Sequence, residues 1–443
     1  MRSLRSLRLH FAGLAGIAHF VPLSAAALML GVAMSFTAPY LSLFGVEAVA
    51  MSPFLAGVFM TLIAASGVVA STWAGRWSDR RDRHRPLLVV SLAAAALGFA
   101  LLCVLRAPTP VIAAGTILLG AGAVSLSQIF SFARAVLPVD SSAQRELASA
   151  ALRTMLSVAW VFGPALGALI LAQTGFTGLF LAAAAGFFVC AVIVAHIPEP
   201  ARRPAAADAG RSAAASVSGG DPVPPDEAAP AVAAPPAVAA PRAVVLRTLA
   251  ALMLIGLAAN ATMIVLPLYI VRGLGGTPTN VSAALGLAAL LEIPMMLWLG
   301  IRSARLNKAR WLTGCAAVYA AYFAGLAAVT HVDAILPLQL LSACVVAITS
   351  CLGMTRVCDL MPTRPGTATA MFFSTARVGS IVSGVLSGAF VDLFGYRATF
   401  AGCGALALVA LVLLACDARN PRAGATRATG ASKRPRSRFD APH

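Results

Sequence analysis

Charge is what this sequence has least of. Only 11% of its 443 residues are Asp, Glu, Lys or Arg, against about 25% in a soluble domain. Acid is the scarcer sign: 16 acidic residues stand against 33 basic ones, a formal net charge of +17. With 59% hydrophobic residues and a mean hydropathy of +0.86, no soluble fold of this size could hide the apolar surface. Other absences narrow the function. No Gly-rich phosphate loop ends in Lys-Ser or Lys-Thr, which argues against transport driven by ATP. No nucleophile–base arrangement stands out, so an enzyme is not expected. Eight cysteines (Cys103, Cys190, Cys315, Cys344, Cys351, Cys358, Cys403, Cys416) lie in or beside apolar runs without metal-ligand spacing. They read as small packing residues, and no metal or other cofactor is expected.

What the chain has instead is a series of continuous apolar runs, each about 20 residues and long enough to cross ~30 Å of hydrocarbon as a helix. The runs do not alternate as barrel strands would. Spans are expected near 20–46, 53–75, 86–106, 109–132, 146–173, 177–197, 246–271, 279–300, 311–330, 333–355, 366–394 and 396–416. Twenty-eight of the 33 Lys and Arg fall in the termini and even-numbered loops, and only Arg106, Arg272 and Arg397 in odd-numbered loops. That sorting predicts both termini in the cytosol. It also accounts for the net charge without nucleic acid. Arg2, Arg5 and Arg8 imitate the start of a signal peptide, but the apolar segment after them is too long and has no convincing cleavage site. It is read as a retained first span.

The expected organisation is a cytosolic segment (1–19), a six-helix bundle (20–197), a disordered cytosolic linker rich in Ala, Pro, Ser and Gly (198–245), a second six-helix bundle (246–416) and a basic cytosolic tail (417–443). The halves echo each other. At a shift of 225, Gly75, Ser78, Arg80, Arg83 and Arg85 match Gly300, Ser303, Arg305, Lys308 and Arg310 in type; at 220, Gly175, Phe176 and Phe180 match Gly395, Tyr396 and Phe400. A duplication of this kind predicts an all-α membrane protein of twelve helices in two pseudo-symmetric bundles, with the substrate between them near mid-bilayer.

Three ionisable residues fall inside spans: Glu292, Arg153 and Arg377. Each costs several kcal/mol in hydrocarbon unless it faces water or a partner. Glu292 is eight residues from Gly300, hence ~12 Å inside its helix end. Two readings stand. Glu292 takes and releases a proton, pairing with Arg377 or Arg153 in one gate state; or the group is a static buried ion pair that fixes register. Groups suited to a hydroxylated ligand are Asn260, Gln128, Trp160, Gln339 and Trp298, each of which is also a candidate for plain interhelical packing. Asp359 is expected to cap or to pair with Arg356 or Arg364, and Asp392 to be solvated near the outer surface.

The stretch Gly75-Arg-Trp-Ser-Asp-Arg-Arg-Asp-Arg-His-Arg85, between spans two and three, resembles the loop-two signature of the major facilitator superfamily. Gly75 would permit a tight helix exit. Asp79, with Arg80, Arg83 and Arg85, would hold the cytosolic ends of the halves together, which the resemblance implies is the outward-facing state. The second copy has Ala304 where the first has Asp79. Gly163-Pro-Ala-Leu-Gly167 resembles the Gly-Pro motif of superfamily antiporters, in part; Gly163, Pro164 and Gly167 equally permit close packing and a bend. A closer resemblance is to bacterial sugar efflux transporters. It is carried by Pro39-Tyr-Leu-Ser-Leu-Phe44, Leu152–Pro164, Leu291-Glu-Ile-Pro-Met-Met296, Asp359-Leu-Met-Pro362 and Thr375-Ala-Arg-Val-Gly379. It implies proton-driven export of sugars or sugar-like compounds across the bacterial inner membrane, with small-molecule substrate, protons and lipid as partners and a functional monomer. A multidrug or metabolite exporter of the same superfamily remains the alternative; a receptor or membrane enzyme on the same scaffold is a third.

Overall fold

Hydrocarbon offers the backbone no hydrogen-bond partner, so a spanning segment must satisfy its own, and the apolar runs of this chain do so as helices. The computed structural model describes residues 17–81, 83–137, 142–199, 240–302, 305–362 and 365–418. Among these, ten helical stretches are long and apolar enough to cross a membrane. They are α1 (Phe20–Glu47), α2 (Pro53–Arg81), α3 (Arg85–Leu102), α4 (Pro108–Val136), α5 (Ser142–His196), α6 (Arg242–Gly273), α7 (Pro278–Arg302), α8 (Lys308–Ala328), α9 (Val332–Leu360) and α10 (Pro365–Ala418). The expected cytosolic segment, linker and tail fall almost wholly outside the described residues.

Two of these helices are far longer than a bilayer needs, and each turns a corner. In α5 the corner is Gly175, with φ of 67°; in α10 it is Gly395, with φ of 81°. Both lie in the left-handed region that L side chains avoid, and a Cβ on either would meet nothing within 4 Å. The demand for glycine there is conformational, not steric. Three helices also carry π turns, at Gly115–Leu119 in α4, Tyr269–Gly273 in α6 and Thr349–Gly353 in α9. Each is an extra residue in the ladder of a kind common at functional sites.

One expectation is corrected at the end of α2. The helix does not exit at Gly75 but continues to Arg81. Gly75 has no positive φ and no neighbour for a Cβ within 4 Å. The basic residues that follow it are ordinary helix formers and continue the ladder into the polar region.

Residues 20–199 pack largely among themselves, as do residues 240–418. In the first part α1 lies along the first limb of α5. The Ser35 hydroxyl donates to the Ala159 carbonyl at 2.9 Å, and the Tyr40 hydroxyl to the Pro164 carbonyl at 2.9 Å. A Cβ on Gly163 would sit 1.8 Å from Ser35 Oγ, and one on Gly167 2.4 Å from the Phe36 carbonyl oxygen. Between apolar helices in lipid the drive to associate is contact rather than exclusion of water, so small residues that let backbones touch are the natural solution. In the second part α10 packs on α6 and α8, with Phe400 between Tyr269 and Phe323. Three seams join the two parts: α1 with α6, α2 with α10, and α5 with α7.

Candidate functional site

Successive helices alternate in direction, so the bundle has two ends. The near face carries the start of α1, the end of α2, the start of α3, the end of α7 and the start of α8. The far face carries the end of α1, the start of α2 and the corners at Gly175 and Gly395.

Toward the far face, hydrogen bonds join the two parts. At the α1–α6 seam, the Ser42 hydroxyl donates to the Ile264 carbonyl at 3.0 Å, and Arg272 donates to the Glu47 carboxylate (3.2 Å) and the Val46 carbonyl (3.1 Å). At the α2–α10 seam, the Phe54 amide donates to Asp392 Oδ2 at 2.9 Å. The Thr61 hydroxyl donates to the Ile381 carbonyl at 2.8 Å and accepts from the Val385 amide at 2.9 Å. Between these points the backbones are in direct contact. A Cβ on Gly57 would lie 2.2 Å from the Gly384 carbonyl oxygen, and one on Gly388 2.5 Å from that of Pro53. Thr61 is eight residues into α2, so this closed zone reaches ~12 Å inward from the far end.

Arg377 is seven residues from Gly384, which places it on the same stripe of α10, ~10 Å nearer the other end, and it is exposed. Glu292 is partly buried on α7, the helix that meets α5 across the seam. One turn further along α7, the Met296 carbonyl accepts a long contact (3.8 Å) from Cys351 in the π turn of α9. Among the described residues no hydrogen bond or ion pair reaches Glu292 or Arg377, so the proposed pair is not made in this conformation. Arg153 falls in the first limb of α5, with its side chain outside the described residues.

The polar candidates separate into two groups. Asn260 is half-buried on α6 and donates to the Gly256 carbonyl one turn earlier at 2.8 Å, and among the described residues its amide oxygen accepts no hydrogen bond. Trp160 is partly exposed on α5. The others are committed elsewhere. Gln128 is only 2% exposed and joins Ser78 (3.5 Å) to His84 (3.4 Å) at the near face. Gln339 is 1% exposed and donates to Ile335 within its own helix at 3.4 Å. Trp298 stands at the near end of α7, against Trp311 and under the Arg302 guanidinium. Residue type alone marks all five as ligand candidates; their depth and burial depend on helix rotation, which type does not give.

At the near face the loop-two residues are tied within their own half. The Glu199 carboxylate accepts from the His84 amide (2.6 Å) and the Arg85 amide (3.2 Å), capping the start of α3, and Arg85 donates to the Ile197 carbonyl at 3.4 Å. Arg80 and Arg83 are exposed, and the side chain of Asp79 lies outside the described residues. On the second half Lys308 pairs with Asp359 at 2.6 Å, and Arg364 lies outside the described residues. Lys308 sits in the first turn of α8, within reach of the end of α9, as a result of the Asn307 cap that sets where α8 begins.

The sequence reading missed the far seam. Asp392 is not simply solvated: it caps α2 from the other half. Thr61, Gly57 and the Arg272–Glu47 pair went unremarked. One signal was available, since Gly384 and Gly388 form a Gly-xxx-Gly pair in an apolar run.

Comparison with known proteins places this architecture. The family model described as Major Facilitator Superfamily matches residues 23–383 and, in a second match, 249–440. A Deinococcus radiodurans protein provisionally named a sugar efflux transporter is 35% identical over 405 residues, covering 91% of this chain and 99% of that protein. Sugar efflux transporter A of Escherichia coli is 31% identical over 392 residues, covering 88% and 93%. Among solved structures, the nucleoside transporter NupG superposes with a TM-score of 0.70 at 11% identity, covering 91% of this chain and 99% of that one. That likeness speaks to the fold alone. The family match, the two relatives and the apolar helices agree, and this chain belongs to the Major Facilitator Superfamily of multi-pass membrane transporters.

Proposed function

We propose that the protein exports sugars or sugar-like compounds across the bacterial cytoplasmic membrane, coupled to proton entry, by alternating access. Dividing α5 at Gly175 and α10 at Gly395 gives twelve spans, six on each side of the 200–239 connection. The second family match, beginning at residue 249, supports reading them as two six-helix bundles. The sorting of Lys and Arg puts the near face in the cytosol. The observation that carries the mechanism is the one-sided seam: hydrogen bonds and glycine contacts join the halves toward the far face, while Arg377 lies exposed deeper on the same stripe. That is the pattern of a carrier closed to the outside and open to the cytosol.

In this state Glu292 has no cationic partner among the described residues. Net proton entry requires Glu292 to take a proton while the site faces outward and to release it while the site faces the cytosol, with Arg377 or Arg153 pairing with the carboxylate in one of the two gate states. Closure of the near face would turn the site outward. The Asp79 cluster would then engage across the halves. Asn260 and Trp160 are the residues assigned to the ligand, offering an amide oxygen and an aromatic face. Gln128 and Gln339, both buried and occupied, are assigned to packing, and Trp298 to the near-face rim. A monomer suffices, because both halves lie in one chain.

The test is flux of radiolabelled lactose or a glucose analogue into inside-out vesicles, with and without an imposed pH gradient. Uptake that rises with an acidic lumen supports the reading. Gradient-independent flux removes the coupling. Transport of lipophilic cations with no sugar flux replaces the substrate by that of a multidrug exporter.

A further inference from the structure

In an unbroken helix the Val385 amide would donate to the Ile381 carbonyl four residues earlier. Here a hydroxyl from another helix bonds both groups. Thr61 Oγ1 receives the Val385 N–H at 2.9 Å and passes its own proton to the Ile381 oxygen at 2.8 Å. A hydroxyl can do both, having one donor and two acceptor sites. Gly384 makes the room: a Cβ there would lie 2.4 Å from Thr61 Oγ1 and 2.6 Å from the Gly57 oxygen.

We propose that Thr61 and Asp392 form a two-point latch that holds the far face shut, with Thr61 bridging two backbone groups of α10. The point of the arrangement is that neither state leaves a polar group stranded. With α2 docked, the Val385 amide and Ile381 carbonyl are both paired through Thr61. With α2 withdrawn, the two groups pair directly, and the Thr61 hydroxyl turns back to a carbonyl of its own helix, as Thr72 does to Val68 at 2.8 Å. A buried group left without a partner is costly, so this exchange removes a barrier to opening that a simple broken bond would impose. Asp392 works at the rim by the same logic. It takes the Phe54 amide, one of the unpaired donors at the start of α2. On withdrawal that donor passes to water, while Ser52 keeps its own cap on Leu55 at 3.2 Å. Two fully paired arrangements of one segment are what a bistable gate requires.

The latch rests on the alternating-access reading, but its test needs no transport. Hydrogen–deuterium exchange is followed on the whole protein in nanodiscs, comparing the parent with Thr61→Val, Thr61→Ser, Asp392→Ala and Asp392→Asn. Faster exchange at 53–61 and 381–392 alone would describe a local cap. The latch predicts that Thr61→Val and Asp392→Ala also speed exchange at 42–47 and 264–272, the α1–α6 seam that neither residue touches. The expected factor is about fivefold, the opening shift that loss of one cap or hydrogen bond produces. Thr61→Ser keeps parental rates, and Asp392→Asn falls between parent and Ala. Unchanged exchange at 42–47 and 264–272 in both Thr61→Val and Asp392→Ala overturns the latch, as does Thr61→Ser behaving like Val. Because flux is not measured, either result leaves the export reading where the vesicle experiment puts it.

Discussion

Replacing Gly57 with alanine should push the far face open. The added Cβ would lie 2.2 Å from the Gly384 carbonyl oxygen, 3.0 Å from its carbon and 3.1 Å from Gly388 Cα. All three are backbone atoms and cannot rotate aside. To reach an ordinary contact, α2 and α10 must part by roughly 1 Å. The same movement takes the Thr61 hydrogen bonds, now 2.8 and 2.9 Å, past the ~3.5 Å at which they cease to count. Overpacking of this kind costs about 1–3 kcal/mol, and charged to the closed state alone it shifts the closed–open balance about 5- to 150-fold. The assay places a reporter cysteine at Ser42, buried at the neighbouring seam, and follows its alkylation by an impermeant maleimide from the far face. Mass spectrometry separates it from the eight native cysteines. Against a Ser42→Cys parent, adding Gly57→Ala raises the labelling rate at least about fivefold. Gly388→Ala, 2.5 Å from the Pro53 oxygen, does the same. Gly75→Ala on the same helix, with nothing within 4 Å, leaves it unchanged. Equal labelling of Gly57→Ala and parent, in protein of equal thermal stability, would refute the claim that these backbones touch.

Glu292→Gln keeps a hydrogen-bonding side chain at that site but cannot exchange a proton; vesicle flux should lose its dependence on the pH gradient, and undiminished dependence would remove Glu292 from the coupling. Tyr40→Phe deletes the bond to the Pro164 carbonyl and should lower stability by about 1 kcal/mol, seen as a fall in melting temperature. Glu199→Ala uncaps α3 at a loss of about 0.5–2 kcal/mol, read as faster amide exchange confined to residues 84–88. Gly395→Ala forces a side chain onto φ 81°, ψ 175°, an essentially glycine-only region, costing about 1–3 kcal/mol, and Gly395→Asn should cost as much; melting points equal to the parent's would place the corner's φ elsewhere.

The helices were legible because hydrocarbon imposes a single length and a single backbone solution. Each expected span lies on a helical stretch, and the matched Gly175 and Gly395 stand where both long helices turn. The site was legible only in part. Charge inside an apolar run marks a residue as costly, which singled out Glu292 and Arg377, but cost does not name a partner, and in this conformation neither has the other. Gln128 and Gln339 show the limit of residue type: an amide looks the same in sequence whether it lines a passage or ties Ser78 to His84. The far seam was nearly invisible. Thr61 and Asp392 are unremarkable where they stand in the chain, and their work depends on residues more than 300 positions away.

The far seam is also written mostly in main chain on one side. Ser42 addresses the carbonyl of Ile264, Thr61 that of Ile381 and Arg272 that of Val46, while the Phe54 and Val385 amides supply the remaining donors. A carbonyl survives any substitution of the residue that bears it. The acceptor positions are therefore free to drift among apolar types, and the whole constraint rests on the side-chain member of each bond. Across homologous chains these contacts should leave little pairwise covariation, so maps of coupled substitutions would underestimate how firmly the halves grip. A saturation scan should see them instead as lopsided sites, intolerant at Ser42, Thr61 and Asp392 and permissive at Ile264, Ile381 and Val46.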